Sequence, residues 1–135
     1  LSAFFSPNGI FVQPSPSLAL YITDKKSRKV FIYYPETRKL HSFGTMGLEK
    51  EGEFYTPTGI YVDKKNRIFV ADFTRNLIQA FDSDGKFLFA IGPEQLGDAD
   101  FAEPRDVLVD SYGFLWITGG KFPGGKVWRV TLPQE

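Results

Sequence analysis

The heptapeptide Phe54-Tyr55-Thr56-Pro57-Thr58-Gly59-Ile60 has two altered counterparts in the same chain, Phe4-Phe5-Ser6-Pro7-Asn8-Gly9-Ile10 and Phe101-Ala102-Glu103-Pro104-Arg105-Asp106-Val107. All three fit Phe-x-x-Pro-x-(Gly/Asp)-(Ile/Val). The prolines stand 50 and then 47 residues apart. A recurrence at that period marks stacked structural units, each of which hides its apolar surface against a neighbour.

Downstream of each proline the copies stay in step. First strands are expected at residues 10–12, 60–62 and 107–109, each followed by a polar turn. Asp63 and Asp110 open two of these turns; the first copy has Gln13 there and carries two extra residues near Pro14-Ser15-Pro16-Ser17. Second strands follow at 20–23, 68–71 and 115–118, ended by Asp24, Asp72 and Gly119. Third strands are expected at 30–33, 78–81 and 127–130, and fourth strands at 39–43 and 86–91. Asp82-Ser83-Asp84-Gly85 supplies the residue types that tolerate the positive φ of a tight hairpin turn. No segment holds a 3.6-residue apolar period over ten or more residues, so helix is nearly excluded.

Four short strands joined by tight turns make an antiparallel meander. Residues 68–71, Ile-Phe-Val-Ala, are apolar toward both sides, so both faces of that sheet need cover. Radial stacking of sheets supplies it, which predicts an all-β propeller. The expected organisation is a single propeller segment over 1–135, with blade 1 at 1–50, blade 2 at 51–97 and blade 3 at 98–135. Blade 3 is expected to lack its outer strand, and three blades to form an incomplete ring with bare sheet faces at its ends and an unpaired edge strand. Because the chain begins at Leu1 rather than Met, it is read as a processed or excerpted part of something longer, continued in cis or packed in trans.

The run Phe-x-x-Pro-x-Gly-Ile, then Val-Asp, Phe-Val-Ala-Asp, Ile-Gln-Ala-Phe-Asp and Asp-Gly-Lys-Phe resembles the NHL repeat. The resemblance covers nearly all residues from Phe4 to Val130 and is closest in the middle copy; the first departs at Gln13 and the third at Asp106 and Gly119. It implies a propeller that usually has six blades. It also implies two functional classes: non-catalytic interaction or scaffold propellers, and hydrolases or lyases of lactonase or amidating-lyase type with a metal site. The histidine-rich centre of the amidating lyases is absent here, and no acidic and Asn set of the lactonase kind stands out. The unseen blades could carry one. The family spans cytoplasmic animal proteins and exported bacterial ones, and the style of this repeat points to an extracytoplasmic setting, extracellular or periplasmic.

Composition narrows the chemistry. Sixteen basic and sixteen acidic side chains cancel, which gives no general attraction to phosphate backbones. There is no Cys, hence no disulfide, thiolate metal site or Cys nucleophile within this stretch. No apolar run approaches the roughly 20 residues of a membrane helix. His41 is the only histidine and is placed on an outer strand, with a structural or solvent-facing role. Asp24 and Asp72 are read as turn acceptors rather than metal ligands, and no cofactor is predicted.

Partner-binding residues are expected where the repeat varies. Asn8, Thr58 and Arg105 occupy one position between Pro and Gly or Asp, near the mouth of the propeller channel, and differ while their neighbours recur. Arg105 is the strongest contact among them, because a guanidinium pairs well with carboxylates and phosphates. Phe122, in the expanded loop 121–125, is read as a partner anchor. The acidic loops 44–53 and 92–100 and the basic cluster 25–29 are read as solvated connections. The expected partner is a protein or further blades; nucleic acid is not expected, although some NHL domains bind RNA through a basic face.

Overall fold

The computed structural model describes residues 4–133; the outer blade limits expected at 1 and 135 lie outside them. Strands β1 (Pro7–Gln13), β2 (Ala19–Asp24), β3 (Lys29–Tyr34) and β4 (Lys39–Phe43) form one antiparallel meander. A two-residue parallel bridge, β5 (Thr45–Met46) with β6 (Glu53–Phe54), connects it to the next. The second meander comprises β7 (Pro57–Val62), β8 (Ile68–Asp72), β9 (Leu77–Phe81) and β10 (Phe87–Ile91). A single helical turn, α1 (Pro93–Leu96), leads to the three-stranded sheet of β11 (Asp106–Val109), β12 (Phe114–Gly119) and β13 (Lys126–Thr131). The expected strands all form, and each sheet follows chain order.

The two acidic loops hold more structure than solvated connections need. Glu53 accepts the N–H groups of Glu49 and Lys50, which curls residues 49–53 so that Gly47 N–H can reach the Phe54 carbonyl. In the other loop Pro93 stands at the first helical position, where its missing N–H costs nothing, and the Gln95 side chain accepts the Gly92 N–H.

The second sheet is sandwiched. Ile60, Val62, Ile68, Val70 and Phe81 face Ala19, Tyr21, Val30 and Ile32 of the first sheet. Phe69, Ala71, Ile78 and Ala80 face Val107, Leu115, Ile117 and Trp128 of the third. Successive strand residues point to opposite faces, so a strand between two cores must be apolar at every position, as β8 is. Each large side chain so buried contributes about 1.5–3 kcal/mol. The far faces differ: Ile10 and Val12 of the first sheet and Leu108 and Val127 of the third are about half or more exposed. Among the described residues the three sheets form an arc and not a closed ring.

The innermost strands β1, β7 and β11 lie side by side. The repeated Pro-x-Gly is a β-bulge: the register of β1 on β2 shifts between Pro7 and Ile10, and that of β7 on β8 between Pro57 and Ile60. Glycine is required there by close approach. A Cβ on Gly59 would stand 2.5 Å from Asp106 Oδ1 and 2.7 Å from the Arg105 carbonyl, and Gly59 N–H donates to that carbonyl at 2.8 Å.

Candidate functional site

The corner after each second strand fixes where the innermost strand of its sheet begins. Asp24 is fully buried and accepts the N–H groups of Phe5 and Ser6 on one oxygen and those of Lys26 and Ser27 on the other. Asp72, equally buried, accepts from Tyr55 on one oxygen and from Thr56 and Arg75 on the other. Each carboxylate therefore ties the segment before the proline to the turn after the second strand. Burial pushes the Asp24 carboxyl up, but the N–H groups of Ser27, Ser6 and Phe5 outweigh it and hold the group below its ordinary value.

With the corners fixed, the residues after Pro in the three copies lie at the same end of the innermost strands. Asn8, Thr58 and Arg105 come together, lining a cleft of about 380 Å³ with Lys25, Thr56 and Phe73. The same three also line a second recess beside it, with Gly9, Gly59 and Asp106. Their roles diverge. The Thr58 hydroxyl is turned inward and donates between the carbonyls of Ala71 and Pro104, leaving the residue buried. The Asn8 amide makes only a long 3.5 Å contact to the Pro57 carbonyl. Arg105 lies with its guanidinium 5.2 Å from the Phe73 ring centre, donates through Nη1 to the Gly120 carbonyl at 3.1 Å, and stands 3.6 Å from Glu103.

Lys25 and Phe73 were not expected at this site. The signal was present: each directly follows a corner aspartate. Their backbone N–H groups donate to the carbonyls of Ser6 and Thr56, which brings both onto the rim.

Phe122 is 91% exposed and stands apart from the cleft on the β12–β13 loop. That loop borders a recess of about 510 Å³, walled by Asn76, Pro93, residues 99–102, Gly120, Lys121 and residues 124–126. His41 lies exposed on β4, edge-on to the Tyr34 ring. In the basic cluster, Lys29 donates to the Gly44 carbonyl and the Arg28 guanidinium lies 4.2 Å from the centre of the Tyr55 ring. Among the described residues no three His, Asp or Glu side chains converge as metal ligands would.

In the third sheet the indole N–H groups carry two carboxylates. Trp116 donates to Asp110 at 2.8 Å and Trp128 to Asp98 at 2.9 Å. Each indole bond, with the backbone N–H groups around it, holds its carboxyl below the ordinary value.

The NHL repeat family model matches residues 54–81, within the middle copy. The Drosophila melanogaster protein brain tumor is 38% identical over 71 residues, covering 53% of this chain and 6% of that protein. Mouse NHL repeat-containing protein 3 is 27% identical over 127 residues, covering 83% of this chain and 36% of its own length. The chain thus spans well under half of these curated relatives. Among solved structures, a gluconolactonase from Xanthomonas campestris superposes with a TM-score of 0.68 at 21% identity, covering 98% of this chain and 40% of its own. At that identity the likeness concerns the fold.

Proposed function

Taking as premise that this chain is a run of NHL-repeat propeller blades, we propose that it is a non-catalytic interaction segment that holds a protein partner at the channel rim and the inter-blade loops. The blades are taken as 1–50, 51–97 and 98–135. The observation that supports this reading is the convergence of Asn8, Thr58 and Arg105 on one cleft. They vary at a position held between a recurring Pro and a Gly or Asp. A constant frame with a variable rim is how repeat architectures acquire partners without changing their fold. Asn8 and Arg105 supply the polar contacts, Thr58 shapes the wall between them, and Phe122 is a separate aromatic anchor on the neighbouring loop.

The test uses the intact protein that contains this chain. Asn8→Ala, Arg105→Ala and Phe122→Ala together are expected to reduce partner co-purification at least tenfold. Ser83→Ala, on the β9–β10 turn, leaves it unchanged. Equal retention by all variants overturns the reading. Stoichiometric bound calcium or zinc at the channel of the intact protein would instead favour a metal-dependent hydrolase or lyase.

A further inference from the structure

We infer that the cleft walled by Asn8, Lys25, Thr56, Thr58, Phe73 and Arg105 receives a carboxylate side chain from an acidic segment of a protein partner. The inference rests on the rim reading above and adds the chemistry of what the rim recognises.

Among the described residues two cations line this cleft and no carboxylate does. Lys25 is exposed and takes part in none of the ion pairs among the described residues. Its backbone N–H is bonded to the Ser6 carbonyl, which fixes the residue at the cleft wall and leaves its side chain unspent on that anchor. Arg105 is positioned before any ligand arrives, by the bond from Nη1 to Gly120 and by its place over the Phe73 ring. Its Nη2 lies 3.6 Å from Glu103, beyond hydrogen-bond length, and both side chains are partly exposed. Such a pair is weak. A planar fork with unspent donors, set against an apolar ring, matches the two oxygens of a carboxylate. The Asn8 amide, spent only on the long contact to Pro57, supplies a further donor at the same wall.

The size of the site favours the side-chain carboxylates of an acidic segment over an extended phosphate backbone. A volume of about 380 Å³ accommodates a few side-chain groups. Asp106 lines the adjoining recess and Glu103 flanks Arg105, so the favourable positive charge is confined to the cleft. Nucleic-acid affinity comes from many phosphates neutralised together, and the chain carries equal numbers of acidic and basic residues.

The experiment titrates the intact protein with an acetylated, amidated tetraglutamate peptide, followed by calorimetry. Tetraglutamine, inorganic phosphate and a uridylate dodecamer run in parallel. Tetraglutamate is expected to bind saturably and at least tenfold more tightly than tetraglutamine or phosphate. Lys25→Gln weakens it at least fivefold, and so does Arg105→Lys, which keeps the charge but loses the fork. Lys25→Gln leaves the backbone anchor in place, so its result does not depend on a folding defect. The proposal is overturned if tetraglutamate fails to bind, if both substitutions leave its affinity unchanged, or if phosphate equals it. Tighter binding of the uridylate dodecamer in competition with the peptide overturns it in favour of nucleic acid. If rim alanines release the partner while tetraglutamate does not bind, the rim reading stands and the carboxylate chemistry falls. If tetraglutamate binds while the rim alanines retain the partner, the rim reading falls.

Discussion

Asp72 and Gly119 occupy the same corner of neighbouring blades, and the two blades close that corner by different means. In the second blade a buried carboxylate gathers the N–H groups of Tyr55, Thr56 and Arg75. The third blade has no side chain at that place, and its backbone moves into the space. The Glu103 carbonyl lies 2.6 Å from where a Cβ of Gly119 would stand. Gly120 N–H reaches the Ala102 carbonyl, one residue further from the proline than the equivalent bonds of Lys25 and Phe73. The Glu103 N–H, left without a carboxylate of its own blade, is taken by the Asn76 side chain of the second blade. A repeat can therefore lose its most polar residue and keep its geometry, provided the chain sinks and a neighbour lends an acceptor. That shift also directs Arg105 toward the Gly120 carbonyl and over Phe73, so the altered corner is what shapes the cleft.

The most severe challenge to this comparison is Asp72→Ala. It leaves three backbone donors without their acceptor in a buried corner, each worth on the order of 1–3 kcal/mol. Partial relief by water brings the expected loss to about 3–4 kcal/mol, read from urea unfolding of the intact protein. A loss under about 1 kcal/mol would mean that the carboxylate is dispensable in the second blade too. Gly119→Ala tests the opposite corner. Its new Cβ meets backbone atoms of Glu103 and Pro104, at 2.6 and 2.9 Å, which cannot swing aside as a side chain does. The expected cost is about 2 kcal/mol. Gly119→Asp, although it restores the pattern of the other copies, is expected to be no better, because the space for a carboxylate has already been filled.

Acid distinguishes the corners in a third way. The Asp24 carboxyl is held below its ordinary value in the folded chain. It therefore contributes stability that is fully present above its unfolded value of about 4 and is lost as pH falls through the lower, folded value. The third blade has Gly119, with no carboxylate, at the matching position. Asp24→Asn should lower the melting temperature at pH 6 and flatten its decline between pH 6 and 2.5. The flattening is partial, because Asp98 and Asp110 are also held low, by the indole groups of Trp128 and Trp116. An unchanged slope would show that the Asp24 clamp does not respond to charge.

The blades themselves were legible in the sequence, because each is a local pattern: a proline, apolar runs of fixed length and a polar turn between them. What was not legible depends on contacts between blades. Thr58 reads as a free rim residue, yet its hydroxyl is spent on Pro104 of the next copy, a carbonyl 46 residues away that no local pattern announces. Lys25 and Phe73 join the cleft only because successive inner strands dock side by side. The single turn Pro93–Leu96 and the bridge between Thr45–Met46 and Glu53–Phe54 are too short to leave any periodic trace. Gly119 looked like decay of the repeat, and only the position of the Glu103 carbonyl shows that it is a requirement.

The finest test concerns the acceptor lent across the blades. Asn76 has φ near 56°, a left-handed conformation that glycine adopts without strain. Asn76→Gly therefore preserves the turn and removes only the bond that its Oδ1 accepts from the Glu103 N–H, together with a small entropic cost in the unfolded chain. The expected loss is about 1 kcal/mol. Asn76→Ala should lose about 1–2 kcal/mol more through backbone strain alone. Arg28 holds the matching position in the first blade, at φ near 61°, but the Thr56 N–H ahead of it already has Asp72 as its acceptor. The Arg28 guanidinium instead lies over Tyr55, with Nε and Nη1 buried and without hydrogen-bond partners. Arg28→Gly should accordingly cost less than Asn76→Gly. If the two glycine variants unfold at the same urea concentration, this corner position matters for its backbone conformation alone, and the third blade must keep its corner closed without help from the second.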